Sequence, residues 1–165
     1  MRSTGELRFE FVQGKTACTT AYARYPIKFV SATRASDGGC SWVYTLGYGG
    51  GAVCGDEVTI TCHVEENSTA ALTTQGSTKV RGYSTVCGNK ASQTLLSRVA
   101  RAALLVVVPD PVTCFENSSF RQHQRFLLEH GSSLVLVDWL TSGRMSRGEG
   151  WAFNRLESRN EVMVQ

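Results

Sequence analysis

The sequence predicts an all-β (mainly β) protein built from many short strands. Two observations carry that prediction: apolar residues recur with period two in several separate stretches, and clusters of glycine, serine, asparagine and aspartate interrupt those stretches at short intervals. That punctuation favours an all-β architecture over alternating βαβ units. With 165 residues and 42% hydrophobic content, the chain suits a single domain over 1–165 that buries roughly 70% of its unfolded-state surface.

Taken in order, ELRFEF places Leu7, Phe9 and Phe11 on one side and Arg8 and Glu10 on the other, as a half-buried strand requires. GYGGGAVCGD reads as a loop entering the next strand, its glycines supplying positive φ rather than a phosphate cradle, because no Lys-Ser/Thr pair follows them. EVTITCHVEEN is the clearest alternation, with Val58, Ile60, Cys62 and Val64 opposite Thr59, Thr61, His63 and Glu65. ALTTQGSTKV holds neither acid nor histidine and reads as scaffold. SQTLLSRVARAALLVVV fits a helical stripe as well, but Val106–Val108 and the stop at Pro109-Asp110-Pro111 favour strand, turn, strand. SSLVLVDWLTSG alternates Leu134, Leu136, Asp138 and Leu140 against Val135, Val137, Trp139 and Thr141, so Asp138 is expected on a buried face, paired with Arg144 or backbone amides. No internal repeat and no dividing linker are visible.

The formal charge of +3 is spread along the chain, so no basic cluster indicates nucleic acid. No apolar run approaches the roughly 18 residues of a membrane span and MRSTGELRFE lacks a signal-peptide core, so a cytoplasmic protein is expected. Six cysteines, at 18, 40, 54, 62, 87 and 114, are then expected to be reduced and mostly buried; no Cys-x-x-Cys occurs. Cys62 and His63 face opposite ways, which argues against a permanent metal site, and no serine or histidine sits in a recognisable catalytic arrangement. An enzyme is not indicated.

In order along the chain, GELRFEFVQGKTACTTAYARYPIKFV, GGGAVCGDEVTI, ALTTQGSTKV, VVVPDPVTCF and SLVLVDWLTSGRMSRGEGWAF resemble the urease accessory protein family called UreD or UreH, from about Gly5 to Glu161. The resemblance implies short strands stacked in a β-helix-like arrangement with one or two short helices. It also implies a non-enzymatic nickel metallochaperone that binds apo-urease and works with UreF-like and UreG-like partners, the GTP belonging to UreG. No cofactor is held permanently; nickel is in transit through an internal passage. On that resemblance Asp56, Asp138, Glu149 and Glu161 are the candidate transient metal contacts. Thr74, Gln75, Ser77, Thr78, Lys79, Asp110 and Arg144 belong to structural or partner-contact motifs. The chain departs from the family in reading Cys54-Gly55-Asp56 where Gly-Gly-Asp is common, and in ending at EVMVQ where family members continue. A C-terminally truncated, β-rich interaction protein without maturation activity is the alternative expectation.

Overall fold

The computed structural model describes residues 3–32, 39–82 and 90–165. Fourteen strands are described: β1 (Gly5–Val12), β2 (Lys15–Ala23), β3 (Ile27–Ser31), β4 (Cys40–Gly47), β5 (Glu57–Val64), β6 (Thr69–Thr74), β7 (Thr78–Val80), β8 (Ala91–Val99), β9 (Leu104–Val107), β10 (Val112–Cys114), β11 (Ser119–Leu128), β12 (Ser133–Leu136), β13 (Leu140–Thr141) and β14 (Arg155–Val164). The only helical pieces among the described residues are two 3₁₀ turns, Tyr48–Gly50 and Met145–Arg147. No helix is long and apolar enough to cross a membrane among those residues.

The strands form three sheets that the chain visits in rotation. The first is ordered β14-β11-β8-β5-β1-β2, the second β12-β9-β6-β4-β3 and the third β13-β10-β7. From β5 onward each circuit runs first sheet, second sheet, third sheet, and every pairing between circuits is parallel. The result is a three-sided prism of stacked coils, closed at its beginning by the antiparallel pairs β1–β2 and β3–β4. The stacked architecture expected from the family resemblance is therefore present, and SQTLLSRVARAALLVVV is strand, turn, strand, its two strands lying in different sheets.

The repeat that the sequence did not reveal is in the corners. Between the first and second sheets the chain turns at Asn67, Ala102 and Gly131, each with φ near +60 to +78°. The residue after each donates its amide to the carbonyl three back: Ser68 to Glu65, Ala103 to Ala100, Ser132 to Glu129. Asn117 (φ 60°) and Ser118 build the same turn where β10 leads into β11. Asparagine tolerates the left-handed region, so Asn67-Ser68-Thr69 and Asn117-Ser118-Ser119 each mark a corner.

The main core lies inside the prism, with Leu7, Phe9, Cys62, Val64, Val99, Leu105 and Phe126 essentially inaccessible to solvent. A smaller one joins Val80, Ala91, Val112, Cys114 and Phe120. Two expectations from alternation fail. Phe11 is half exposed, because β1 pairs with β5 only through Phe9, and beyond it forms a two-stranded ribbon with β2. Asp138 and Leu140 are exposed, because β12 ends at Leu136 and Val137–Trp139 make the bend into the third sheet, so the period of two does not carry through.

Candidate functional site

The inward positions of the first sheet are not uniformly apolar. Parallel register lays Val58, Gln93, Gln122 and Ser158 in one row and Ile60, Leu95, Gln124 and Asn160 in the next. Gln122 and Gln124 are buried, and amides placed there must find partners. Gln122 Nε2 donates to Asp138 Oδ1 at 2.9 Å, while Ser158 Oγ and Asn160 Nδ2 each donate to Asp138 Oδ2 at 2.7 Å. Gln124 Nε2 donates to Asn160 Oδ1 at 2.9 Å. Asp138 is thus a carboxylate held by neutral donors; Arg144, its expected partner, pairs elsewhere.

Two cavities adjoin this row. One, of about 240 Å³, is lined by Asp56, Thr45, Tyr48, Lys79 and Gln93 among others; the second, of about 60 Å³, reaches Gln122, Gln124, Asp110, Asp138 and Trp139. Thr45, Thr74, Thr78 and Gln93 wall both. Each has room for water. Asp56 and Asp138 therefore line neighbouring spaces divided by hydroxyl and amide side chains. Asp56 Oδ2 accepts the Val53 amide at 2.9 Å, closing the loop before β5. In that loop Gly51 passes so close to β7 that a Cβ would lie 2.5 Å from the Lys79 carbonyl oxygen, and Ala52 bridges to Val80.

The segment Thr74–Lys79 makes the corner between β6 and β7. Asp110 Oδ2 accepts the Gly76 amide at 2.8 Å and the Thr74 hydroxyl at 3.3 Å, and the Asp110 amide donates to Thr74 Oγ1 at 2.8 Å. Gln75, Ser77, Thr78 and Lys79 all border the larger cavity, so this corner is a wall of the site.

Glu149 and Glu161 line neither cavity. Glu149, buried, is bound by Arg144 through Nε at 2.8 Å and through Nη2, and it accepts the Glu116 amide. Arg144 in turn stacks on Phe115, 4.2 Å from the ring centroid. The Arg144 hydrogen bond holds the Glu149 carboxyl below its ordinary range against the opposing effect of burial. Glu161 is bracketed by Arg125, Arg159 and His123, whose Nε2 lies 3.2 Å away without hydrogen-bond geometry. Burial raises its pKa, and these neighbours outweigh that and lower it.

Cys18, Cys40, Cys62 and Cys114 are free, and complete burial, with Cys18 nearby, pushes the Cys62 thiol up to about 12. Cys54 is disulfide-bonded, which corrects the expectation of a reduced thiol; it sits in the loop before β5 and not in the core. Cys87 lies outside the described residues. No group of three or more His, Cys, Asp and Glu able to hold a metal ion occurs among the described residues. Sequence reading missed Thr45, Gln93, Gln122, Gln124, Ser158 and Asn160. Their readable sign is SFRQHQRFLL, where two glutamines interrupt the apolar face of Phe120, Phe126 and Leu128.

The family model described as UreD urease accessory protein matches residues 2–165. The chain belongs to the UreD family. It is 41% identical to urease accessory protein D of Oryza sativa subsp. japonica over 99% of this chain and 53% of that protein. The same identity holds against the Arabidopsis thaliana protein of that name, over 99% of this chain and 55% of that protein. Urease accessory protein UreD of Anaeromyxobacter sp. is 39% identical over 97% of this chain and 52% of that protein. The chain spans about half the length of these curated relatives.

Proposed function

We propose that this UreD-family chain is a non-enzymatic scaffold for urease maturation, acting in the cytoplasm with UreF-like and UreG-like proteins and apo-urease, and carrying nickel as cargo. The observation that supports it is the pair of adjoining cavities, lined by Asp56 in one and Asp138 in the other and walled between by hydroxyls and amides. Oxygen donors few in number bind a borderline ion weakly enough for it to leave, which transfer requires. Asp56 and Asp138 are the contacts in this reading, whereas Glu149 and Glu161 are saturated by arginine. The GTP of the reaction belongs to the UreG-like partner.

The test is co-expression of the protein with urease and its accessory proteins, measuring complex recovery and urease nickel together. Asp56→Ala and Asp138→Ala should leave the complex recoverable and lower the nickel content. Intact nickel loading in both variants would remove the passage. Failure of the wild-type protein to join any complex would leave the second reading, an interaction protein without maturation activity.

A further inference from the structure

The loop that carries Asp56 to the larger cavity is short and tied at both ends. On its entry side the Ala52 amide donates to the Lys79 carbonyl at 2.8 Å, and the Ala52 carbonyl accepts the Arg81 amide at 2.9 Å. On its exit side β5 starts at Glu57, and the Asp56 carbonyl accepts the Ser92 amide at 2.8 Å. Val53, Cys54, Gly55 and Asp56 stand between those ties. Two local hydrogen bonds hold them, the Asp56 amide to the Val53 carbonyl at 3.0 Å and the Val53 amide to Asp56 Oδ2 at 2.9 Å. A further hold is covalent, the disulfide at Cys54.

That bridge is a tie that chemistry can open without unfolding the chain. Cys54 is half-buried beside the exposed Gly55 and belongs to neither apolar core, so a small thiol can reach it and the cores do not depend on it. Burial raises the pKa of the free thiols Cys18, Cys40, Cys62 and Cys114, which makes them poor nucleophiles and leaves an external thiol as the exchange partner. In a reducing compartment such as the cytoplasm a disulfide is transient and redox-sensing, not a permanent staple. We propose that the Cys54 disulfide is a redox-sensitive clasp: closed, it fixes the Asp56 loop at the wall of the larger cavity, and open, it frees that loop while the prism stays folded. Its consequence for cargo rests on the nickel passage proposed above. Opening takes two electrons from a dithiol reductant. One reductant thiolate attacks a sulfur of the bridge and forms a mixed disulfide, the other sulfur leaves as a thiol, and the second reductant thiol then displaces the remaining cysteine. The chain gains two thiols and the reductant becomes a disulfide.

The test is amide hydrogen exchange of the full chain, oxidised and after treatment with dithiothreitol, with Cys54→Ser as the permanently open form. Iodoacetamide labelling under denaturing conditions, which should reach Cys54 only after reduction, establishes the state of each sample. Reduction should speed exchange in peptides over 48–57 by about tenfold and leave Ile60 and Cys62 of β5 protected. Cys54→Ser should exchange at the fast rate with or without reductant. Labelling of Cys54 in the untreated chain, or loop exchange indifferent to reduction, overturns the proposal. So does a rise that reductant also produces in Cys54→Ser, or loss of protection throughout β5, which would make the bridge a staple of the fold. None of these readings uses nickel, so a failed clasp and a failed passage are told apart by Asp56→Ala, which tests the passage alone.

Discussion

Asp138 is the residue at which local patterning and tertiary placement part company. Alternation through SSLVLVDW puts it among leucines, yet the strand stops at Leu136 and the carboxylate swings to the open end of the amide row, where Gln122, Ser158 and Asn160 hold it. Its loss should cost about 1.5–3 kcal/mol, the range for hydrogen bonds to a charged group, and not the ~3–5 kcal/mol of a stranded buried ion. Urea unfolding of Asp138→Ala gives the number; a loss in the higher range would mean that the carboxylate is structural first. Glu149 makes the opposite case. Its folded pKa is depressed, chiefly by Arg144, so its contribution to stability is present above the ordinary carboxylate range and is lost as pH falls through the folded value. Melting temperatures of wild type and Arg144→Ala should therefore differ at neutral pH and converge on acidification. A gap that does not narrow at all in acid would show that Arg144 acts through its stacking on Phe115 and not through Glu149.

At the scale of elements, strands were legible because each alternates within itself, and corners were not. The same left-handed corner position is filled by Asn67, Ala102 and Gly131, three residue types with no common sequence signature. Spacing hides the repeat further: Thr69, Leu104 and Ser133 stack in one column and Thr78, Val112 and Leu140 in another, at unequal intervals along the chain. The corner geometry nevertheless makes a signed prediction. Ala102 bears a Cβ at φ 57°, where glycine is free of the steric penalty, so Ala102→Gly should stabilise by about 0.5–1 kcal/mol. Gly131→Ala, at φ 78° with only the Arg101 Cγ within 4.0 Å of the added methyl, should destabilise by about 1 kcal/mol through backbone strain alone. Paired denaturation curves test both signs, and a destabilising Ala102→Gly would show that the methyl group matters more than φ.

Across the whole molecule, the interior of the prism changes character along its strands. Where the first sheet turns toward the second, its inward rows are apolar, with Val64, Val99 and Leu128 at the corner, and at the opposite end they are apolar again, with Ala91, Phe120 and Leu156; between the two the rows hold Gln93, Gln122, Ser158, Gln124 and Asn160. Composition could not show this, because those amides are scattered over three strands and converge only when the coils stack. Gln93 lies in that polar stretch and walls both cavities. An aromatic ring there would thicken the wall that the two cavities share. Gln93→Phe should therefore leave the fold and the recovered complex unchanged while urease nickel drops to the level seen without the protein, and Gln93→Ala, which widens the same point, should keep nickel loading intact. Nickel content of purified urease from both co-expressions decides between them. Normal loading with Gln93→Phe would mean that the ion does not travel between these cavities, and equal loss in both variants would assign Gln93 a contact role in place of a gap.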